Sequence, residues 1–451
     1  LLLTKKSKIN PDRYTQLPRY FCKVGIAVII YYVSMLGHFA IASEGNIIFD
    51  NFSHKVKLIA KGDVFHIEGT NVQVKLANRI IVKTKKSIKK QQVLGFHHKF
   101  TNITELFQGT KSNFFSLALN KNANLTKVIA DLQSFQRKHP TSGILLIQPD
   151  ILQLQSKAEL VKEDNDSINA LPAKKQVIHS RGNNALYYQS PYLNLLNIPP
   201  LWQKTKGKNI KIAIIDDGIF LEHEELMHIS PTFSYDIENK VLSSSPKLAI
   251  DQHGTKVAGI IFAAHNRIGI DGIAPEAELI SLRQPKTWTS STLLSFQLAK
   301  LAGASIINCS WHSQILLQPL AEVIEDLSVN GREGKGIAVV ISAGNKGIEV
   351  KPNSNESAIN SAIIVGANNQ HFSRLAYSNY GESVDLFAYG KVVKSTTSTG
   401  KYGTFSGTSL AAAIISGLSA LLLSEKPELT IEQLTQQLKV MTKTSSKIKQ
   451  Q

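Results

Sequence analysis

The chain has 451 residues, 43% of them hydrophobic and 19% charged, which excludes wholesale disorder and leads us to expect two domains with sizeable cores. Its net charge of +17 is uneven: residues 1–185 carry 27 Lys and Arg against 12 Asp and Glu (+15), while residues 186–451 carry 24 against 22 (+2). The excess lies in a leader and a Lys-rich stretch from Lys83 to Lys90 rather than on the C-terminal body, so nucleic acid is not expected as a partner.

The predicted elements begin with a leader. Residues 5–23 are basic, Val24 to Ala42 carry no charge, and the run closes on Ala40-Ile41-Ala42. That order is the one of a secretory signal peptide, and the apolar run is also long enough to span a bilayer. Residues 1–42 are therefore expected to be a signal peptide or a membrane anchor, with export (secreted, periplasmic or membrane-tethered) in either case. The two cysteines, Cys22 and Cys309, exclude a disulfide framework and a Cys-built zinc site.

Residues 43–155 read as a small α+β domain. A hairpin is predicted over Val64–Ile67 and Val72–Lys75, then a strand over Arg79–Lys83, a helix near 86–97, and strands near 103–108 and over Phe114–Leu119. A helix over Leu125–Arg137 and a strand over Gly143–Gln148 follow. Strand–helix–strand–strand–helix–strand is a ferredoxin-like order. Residues 156–185 are polar and mixed in charge and read as a linker.

From residue 186 the pattern changes to short apolar strands (Ile210–Ile215, Leu279–Leu282, Ser305–Cys309, Ile337–Ser342, Ala362–Val365) alternating with helices near 254–264, 291–302, 318–330 and 408–424. This is the pattern of an α/β fold, a three-layer parallel sheet with helices on both faces, whose active site forms at the C-terminal ends of strands.

Four motifs fall there. A buried strand ends in Asp216-Asp217-Gly218, which by itself also fits a metal- or ribose-binding acid. His253 opens a helix rich in small residues (Gly254, Ala258, Gly259), which brings that helix close and fixes the imidazole; a lone histidine is otherwise more often structural. Ser409 stands at the start of an Ala-rich helix, where free N–H groups and the helix dipole favour negative charge; it reads either as a nucleophile or as a helix cap. Asn345 follows a buried strand in the small-residue turn Ala343-Gly344-Asn345-Lys346-Gly347, placed to donate its amide to an oxyanion.

In the order Asp216, His253, Ser409, and with these motifs around them, the sequence resembles the subtilisin family (subtilases) of serine proteases. Further similarities are Asp271-Gly272-Ile273-Ala274-Pro275, Gly303 to Ser310, and Tyr377-Ser378-Asn379-Tyr380-Gly381. The resemblance implies a serine endopeptidase with Asp216, His253 and Ser409 as catalytic triad and Asn345 in the oxyanion hole. It implies a substrate groove edged by Ser310, Trp311, His312, Ala343 and Gly344, in a catalytic domain over 186–451. It also implies that 43–155 is a propeptide, acting as intramolecular chaperone and inhibitor, with processing within about 150–185. Protein or peptide substrates and a monomer are expected, with no cofactor for the chemistry; structural calcium is common in the family, but no loop here carries an evident run of ligand carboxylates.

Some positions depart from the family. Ala413 and Tyr389 stand where proline is usual, and Trp311-His312 replace Leu-Gly after Ser310. A Trp beside the groove is expected to fill or reshape the primary pocket, and Lys346 to favour acidic or polar side chains there. His223, Glu224 and Glu225 read as a solvated helix start. The competing reading is a catalytically silent subtilisin-like binding protein. A lipase or esterase fits poorly, because Gly407-x-Ser409-x-Ala411 is not Gly-x-Ser-x-Gly and Ser409 comes last. A peptide ligase would use the same triad. A dinucleotide-binding enzyme lacks its glycine fingerprint.

Overall fold

In the computed structural model, residues 45–153, 188–351, 355 and 358–443 are described; the expected signal or anchor segment and the expected linker lie outside them. The described residues belong to one compact unit, Ala42–Gln451.

Strands β1 (Ile47–Asn51), β2 (His54–Lys61) and β3 (Val64–Ile67) form an antiparallel meander into the long β4 (Gln73–Lys85). Helix α1 (Lys90–Leu94), β5 (Phe100–Gln108), β6 (Ser112–Leu119), α2 (Leu125–Lys138) and β7 (Ile144–Gln153) follow. The four strands from β4 onward lie in the order β5-β6-β4-β7, the ferredoxin-like arrangement read from the sequence. One face of this sheet is closed by α1 and α2, whose Val93, Val128, Ile129 and Leu132 share a core with Ile80, Val82 and Phe115. Strands β1 and β2 were not read from the sequence. Leu58 is the one buried residue of β2, and the short alternation of Val56 and Leu58 with lysines is broken by the exposed Ile59, which leaves a weak strand signal.

The second sheet is built from β8 (Lys211–Asp216), β9 (Phe233–Asp236), β10 (Glu278–Arg283), β12 (Ile306–Cys309), β13 (Ala338–Ser342), β14 (Ile363–Asn368) and β15 (Leu386–Tyr389). All its pairings are parallel, in the order β15-β14-β13-β12-β8-β10-β9. Helix α3 (Pro191–Leu195) precedes it, and α4 (His253–Phe262), α5 (Thr289–Leu301), α6 (Gln318–Gly334), α7 (Thr408–Glu425) and α8 (Ile431–Met441) are interleaved with or follow its strands. The short β11 (Thr287–Trp288) pairs with β7, and β16 (Val393–Thr396) with β17 (Tyr402–Phe405).

The β8 residues alternate between two cores. Ile212 and Ile214 pack with α4 and α7, and Ala213 and Ile215 with α5 and α6. The result is the expected three-layer fold, and residues buried on both faces explain the near-continuous apolar strands. Helix α7 is long and apolar enough to cross a membrane, but its residues from Thr408 to Leu423 are buried in this core, which accounts for apolar residues on every side of it.

From β8 the chain runs toward the β9 edge and then returns to β12 on the other side of β8. Neighbouring strands whose connections leave in opposite directions open a crevice at their C-terminal ends. Asp216 ends β8, and Ser310 follows the end of β12.

Candidate active site

Asp216 is the last residue of β8, with its carboxylate buried. His253 is the first residue of α4, and its Nδ1 lies 2.8 Å from Asp216 Oδ2 and 3.0 Å from Oδ1. An ionised carboxylate only accepts, so Nδ1 carries the proton and Nε2 is left basic. The approach is close because residue 254 is glycine: a Cβ there would stand 2.5 Å from Gly218 O and 3.0 Å from Asp216 Cβ.

Asp217, which carries no role in the sequence reading, fastens the same helix. Its carboxylate accepts from the backbone N–H of His253 (3.2 Å) and of Gly254 (2.8 Å). Gln252 at the N-cap position makes no side-chain cap bond, so an acid from a different strand end caps α4 and sets the position of His253. The signal available was the second acid of Asp216-Asp217, but its partner lies far along the chain.

Ser409 sits in the first turn of α7 and is buried. Its Oγ donates to the carbonyl of Ser310 (3.0 Å), and Ser310 Oγ donates to the carbonyl of Ser409 (3.2 Å). Asn308 Nδ2 donates to Ser310 Oγ (2.9 Å), while Asn308 Oδ1 accepts from Ser416 Oγ one helical stretch further along α7 (2.9 Å). These bonds tie the end of β12 to the helix that carries Ser409. Phe405 stands edge-on to the His253 ring, with centroids 5.6 Å apart.

Asn345 follows β13 and accepts at Oδ1 from the backbone N–H and the hydroxyl of Thr408, both at 2.9 Å. Its Nδ2 is buried without a hydrogen-bond partner and is the atom nearest to where a Cβ on Gly407 would stand, 3.0 Å away. A donor held in this way beside the Ser409 turn is a preorganised site for an anion forming there.

Residues 207–451, more than half of the chain, match the subtilase family. The chain belongs to that family. It is 32% identical over 258 residues to subtilisin NAT of Bacillus subtilis subsp. natto, a match covering 56% of this chain and 66% of that protein, just under two thirds of its length. To subtilisin DY of Bacillus licheniformis it is 31% identical over 242 residues, covering 52% of this chain and 84% of that one. To a thermophilic serine proteinase of Bacillus sp. (strain AK1) it is 32% identical over 302 residues, covering 61% and 71%.

Where this subtilase departs from the usual family residues, Trp311 and His312 point to different places. The Trp311 indole is buried, donates to the Ile215 carbonyl (2.8 Å), and lines a small cavity with Gln153 and Thr287. A larger cavity of about 440 Å³ is lined by His312, Lys346 and Asn379, among others, and Trp311 is not on its wall. Gly344, at φ +101°, makes room for the His312 ring, because a Cβ there would stand 2.9 Å from His312 Cε1. The Ala343 carbonyl accepts from Asn379 Nδ2 (2.8 Å) and the Gly344 carbonyl from the Asn379 N–H (2.9 Å), which fixes this wall. Ala413 is an interior residue of α7 and Tyr389 packs against Tyr192, both buried.

The reading of residues 223–225 as a solvated helix start is corrected for His223 and Glu225, while Glu224 is exposed. They lie in a turn, with His223 1% and Glu225 0% exposed. Glu225 accepts from the Ile270 N–H (2.9 Å), Tyr402 Oη (2.8 Å) and Asn266 Nδ2 (3.3 Å), so it holds two loops and β17 together. His228 and His265, whose partners the sequence did not reveal, meet the carbonyls of Pro275 (3.2 Å) and Gly272 (2.9 Å). Among the described residues no group of three or more His, Cys, Asp or Glu stands together as a metal site.

Proposed function

We propose that this subtilase is an exported serine endopeptidase, made as a zymogen, in which Ser409 is the nucleophile, His253 the general base and Asp216 its partner. The observation that carries the reading is the bond between Asp216 and His253 Nδ1 at 2.8 Å, formed at the C-terminal end of β8, in the sheet whose β12 and β13 are followed by Ser310, bonded to Ser409, and by Asn345. In the resting arrangement the Ser409 proton is given to the Ser310 carbonyl. On attack the hydroxyl turns to His253, which takes the proton as Oγ bonds to the peptide carbonyl carbon. Asp216 stabilises the imidazolium, and Asn345 Nδ2 with the Ser409 backbone N–H receives the oxyanion. His253 then returns the proton to the leaving amine, and water cleaves the acyl-enzyme by the same steps in reverse. No cofactor takes part in these steps, and the substrates are proteins or peptides.

The zymogen reading is supported by how residues 45–153 sit on the rest. Ile81, Leu106, Phe107 and Phe114, from the sheet face away from α1 and α2, share a core with α5 and α6. Thr110 N–H donates to Asp326 (2.8 Å), Lys83 pairs with Glu322 (2.6 Å), and Lys300 reaches the Gln108 carbonyl (3.0 Å). Asp150 accepts from the N–H (2.9 Å) and the hydroxyl (2.7 Å) of Ser290 in the first turn of α5, a favourable place for a carboxylate. Residues Leu152 and Gln153 pair with β11, beside Trp311. Addition of an extended segment as an extra strand is a common way of holding a peptide, which fits an inhibitory role for this domain.

The test is the intact mass of the chain expressed from residue 43, as wild type and as Ser409→Ala. Loss of an N-terminal piece from the wild type alone is expected. Both proteins staying full length would contradict self-processing, and an absence of reaction with a serine-directed fluorophosphonate as well would favour a silent binding protein.

A further inference from the structure

We propose, building on the protease reading above, that the cavity beside Asn345 takes the side chain next to the scissile bond and selects an acidic one, with His312 and Lys346 as its recognition groups. The cavity holds about 440 Å³ and opens between the segments that follow β12 and β13. These are the segments that also carry Ser310, whose carbonyl takes the Ser409 hydroxyl, and Asn345. A residue whose carbonyl lies between Ser409 and Asn345 therefore has this cavity as the nearest space for its side chain.

The chemistry of the wall is uneven. Asn379 is committed: its Oδ1 accepts from the N–H groups of Lys346 and Ile348, both at 3.1 Å, and its Nδ2 donates to Ala343 (2.8 Å). His312 is not. It is 5% exposed and lines the cavity, and among the described residues no group hydrogen-bonds to its ring. Its ring nitrogens are open to the cavity, free to meet water or a ligand there. Beside it stands the Lys346 ammonium, with Lys351 and Glu349 further along the same wall. Among the described residues of the wall the fixed charges sum to one positive, with a hydrogen-bond donor at the inner end. Burial, helped by the Lys346 charge, holds His312 down to about 4, so the ring is neutral at neutral pH and donates from one nitrogen. A glutamate carboxylate would accept from that ring and from Lys346, and a lysine side chain would be repelled by Lys346. A leucine would leave the imidazole unmet.

The test uses peptide p-nitroanilides that differ only in the residue at the cleaved bond (Glu, Gln, Leu or Lys), with fluorophosphonate labelling of Ser409 in parallel. A charge-assisted hydrogen bond is expected to favour Glu over Gln and Leu by roughly 10- to 100-fold in kcat/KM. Lys346→Glu, a surface change that does not threaten folding, is expected to erase that preference and raise the Lys peptide. His312→Gln is expected to lower the Glu-to-Leu ratio, and Lys346→Arg to keep it. If Ser409 is labelled while the Leu or Gln peptide is cleaved as fast as the Glu peptide, or while the Glu peptide is not cleaved, the inference is overturned and the protease reading stands. If Ser409 is not labelled and no peptide is cleaved, the protease reading fails and takes this one with it.

Discussion

Asn345 Oδ1 accepts both the backbone N–H and the hydroxyl of Thr408, each at 2.9 Å. This pair of bonds decides which end of the amide faces the Ser409 turn, so under the proposed mechanism Nδ2 is the donor that would meet the oxyanion. Asn345→Leu is expected to lower kcat by roughly 10²–10³ with little change in KM, because the bond matters only once charge develops. Thr408→Val removes one of the two bonds and is expected to lower kcat by less. Steady-state kinetics on one peptide check both, and a change confined to KM would argue against this role.

Asp217 caps the helix that begins at His253. Loss of a cap costs about 0.5–2 kcal/mol. Asp217→Ala is therefore expected to lower the melting temperature by a few degrees and also to lower kcat, since His253 loses the anchor of its backbone. Thermal unfolding and kinetics on the same preparation separate the two effects. A variant equally stable and equally active would refute the assignment.

Glu225 supplies a pH dependence. Burial, with repulsion from Glu224 as a lesser cause, pushes its carboxyl up to about 7, against the lowering effect of its hydrogen bonds from Ile270, Tyr402 and Asn266. The folded state thus binds a proton that the unfolded chain releases near pH 4.5. Stability from this group is fully present below that pH and is lost as pH rises toward 7. The loss is at most roughly 3 kcal/mol, and less where water screens the loops. Glu225→Gln keeps the shape without the titration, so its unfolding free energy is expected to be flatter between pH 4.5 and 7. An identical slope in both proteins would contradict it.

Arg283 lies buried between Asp236 (3.2 Å) and Asp251 (2.8 Å), and Asp251 Oδ2 also accepts from the N–H groups of Lys247 and Leu248. Arg283→Met leaves two buried carboxylates without their cation. Breaking such a group costs about 3–5 kcal/mol, and the turn leading to His253 loosens with it. Urea unfolding is expected to show a lower midpoint; an unchanged midpoint would mean the ion pairs contribute nothing net.

The parts of this fold that were legible in the sequence are those whose cause is local. Asp216 stands at the end of an apolar strand, and His253 and Ser409 at the starts of small-residue helices, so each is marked by a change of pattern within a few residues. The strands of the parallel sheet were legible for the same reason, being buried on both faces. What was not legible depends on partners distant along the chain. The role of Asp217 requires α4 beside β8. The burial of His223 and Glu225 requires Tyr402 and the loop at Asn266. The opposite directions of Trp311 and His312 depend on Ile215 on one side and Gly344 on the other. Strand β2 shows only a weak pattern, because Leu58 alone is buried, Val56 is half-buried against the same core and the apolar Ile59 is exposed.

The most direct measurement of the central claim is reaction of the protein with a fluorophosphonate, followed by peptide mass spectrometry to locate the label, in wild type, His253→Ala and Ser409→Ala. The account expects the label on Ser409 in the wild type, a loss of rate by several orders of magnitude without His253, and no labelled peptide from that helix in Ser409→Ala. A wild-type protein that folds but takes no label, or takes it at the same rate without His253, would contradict it.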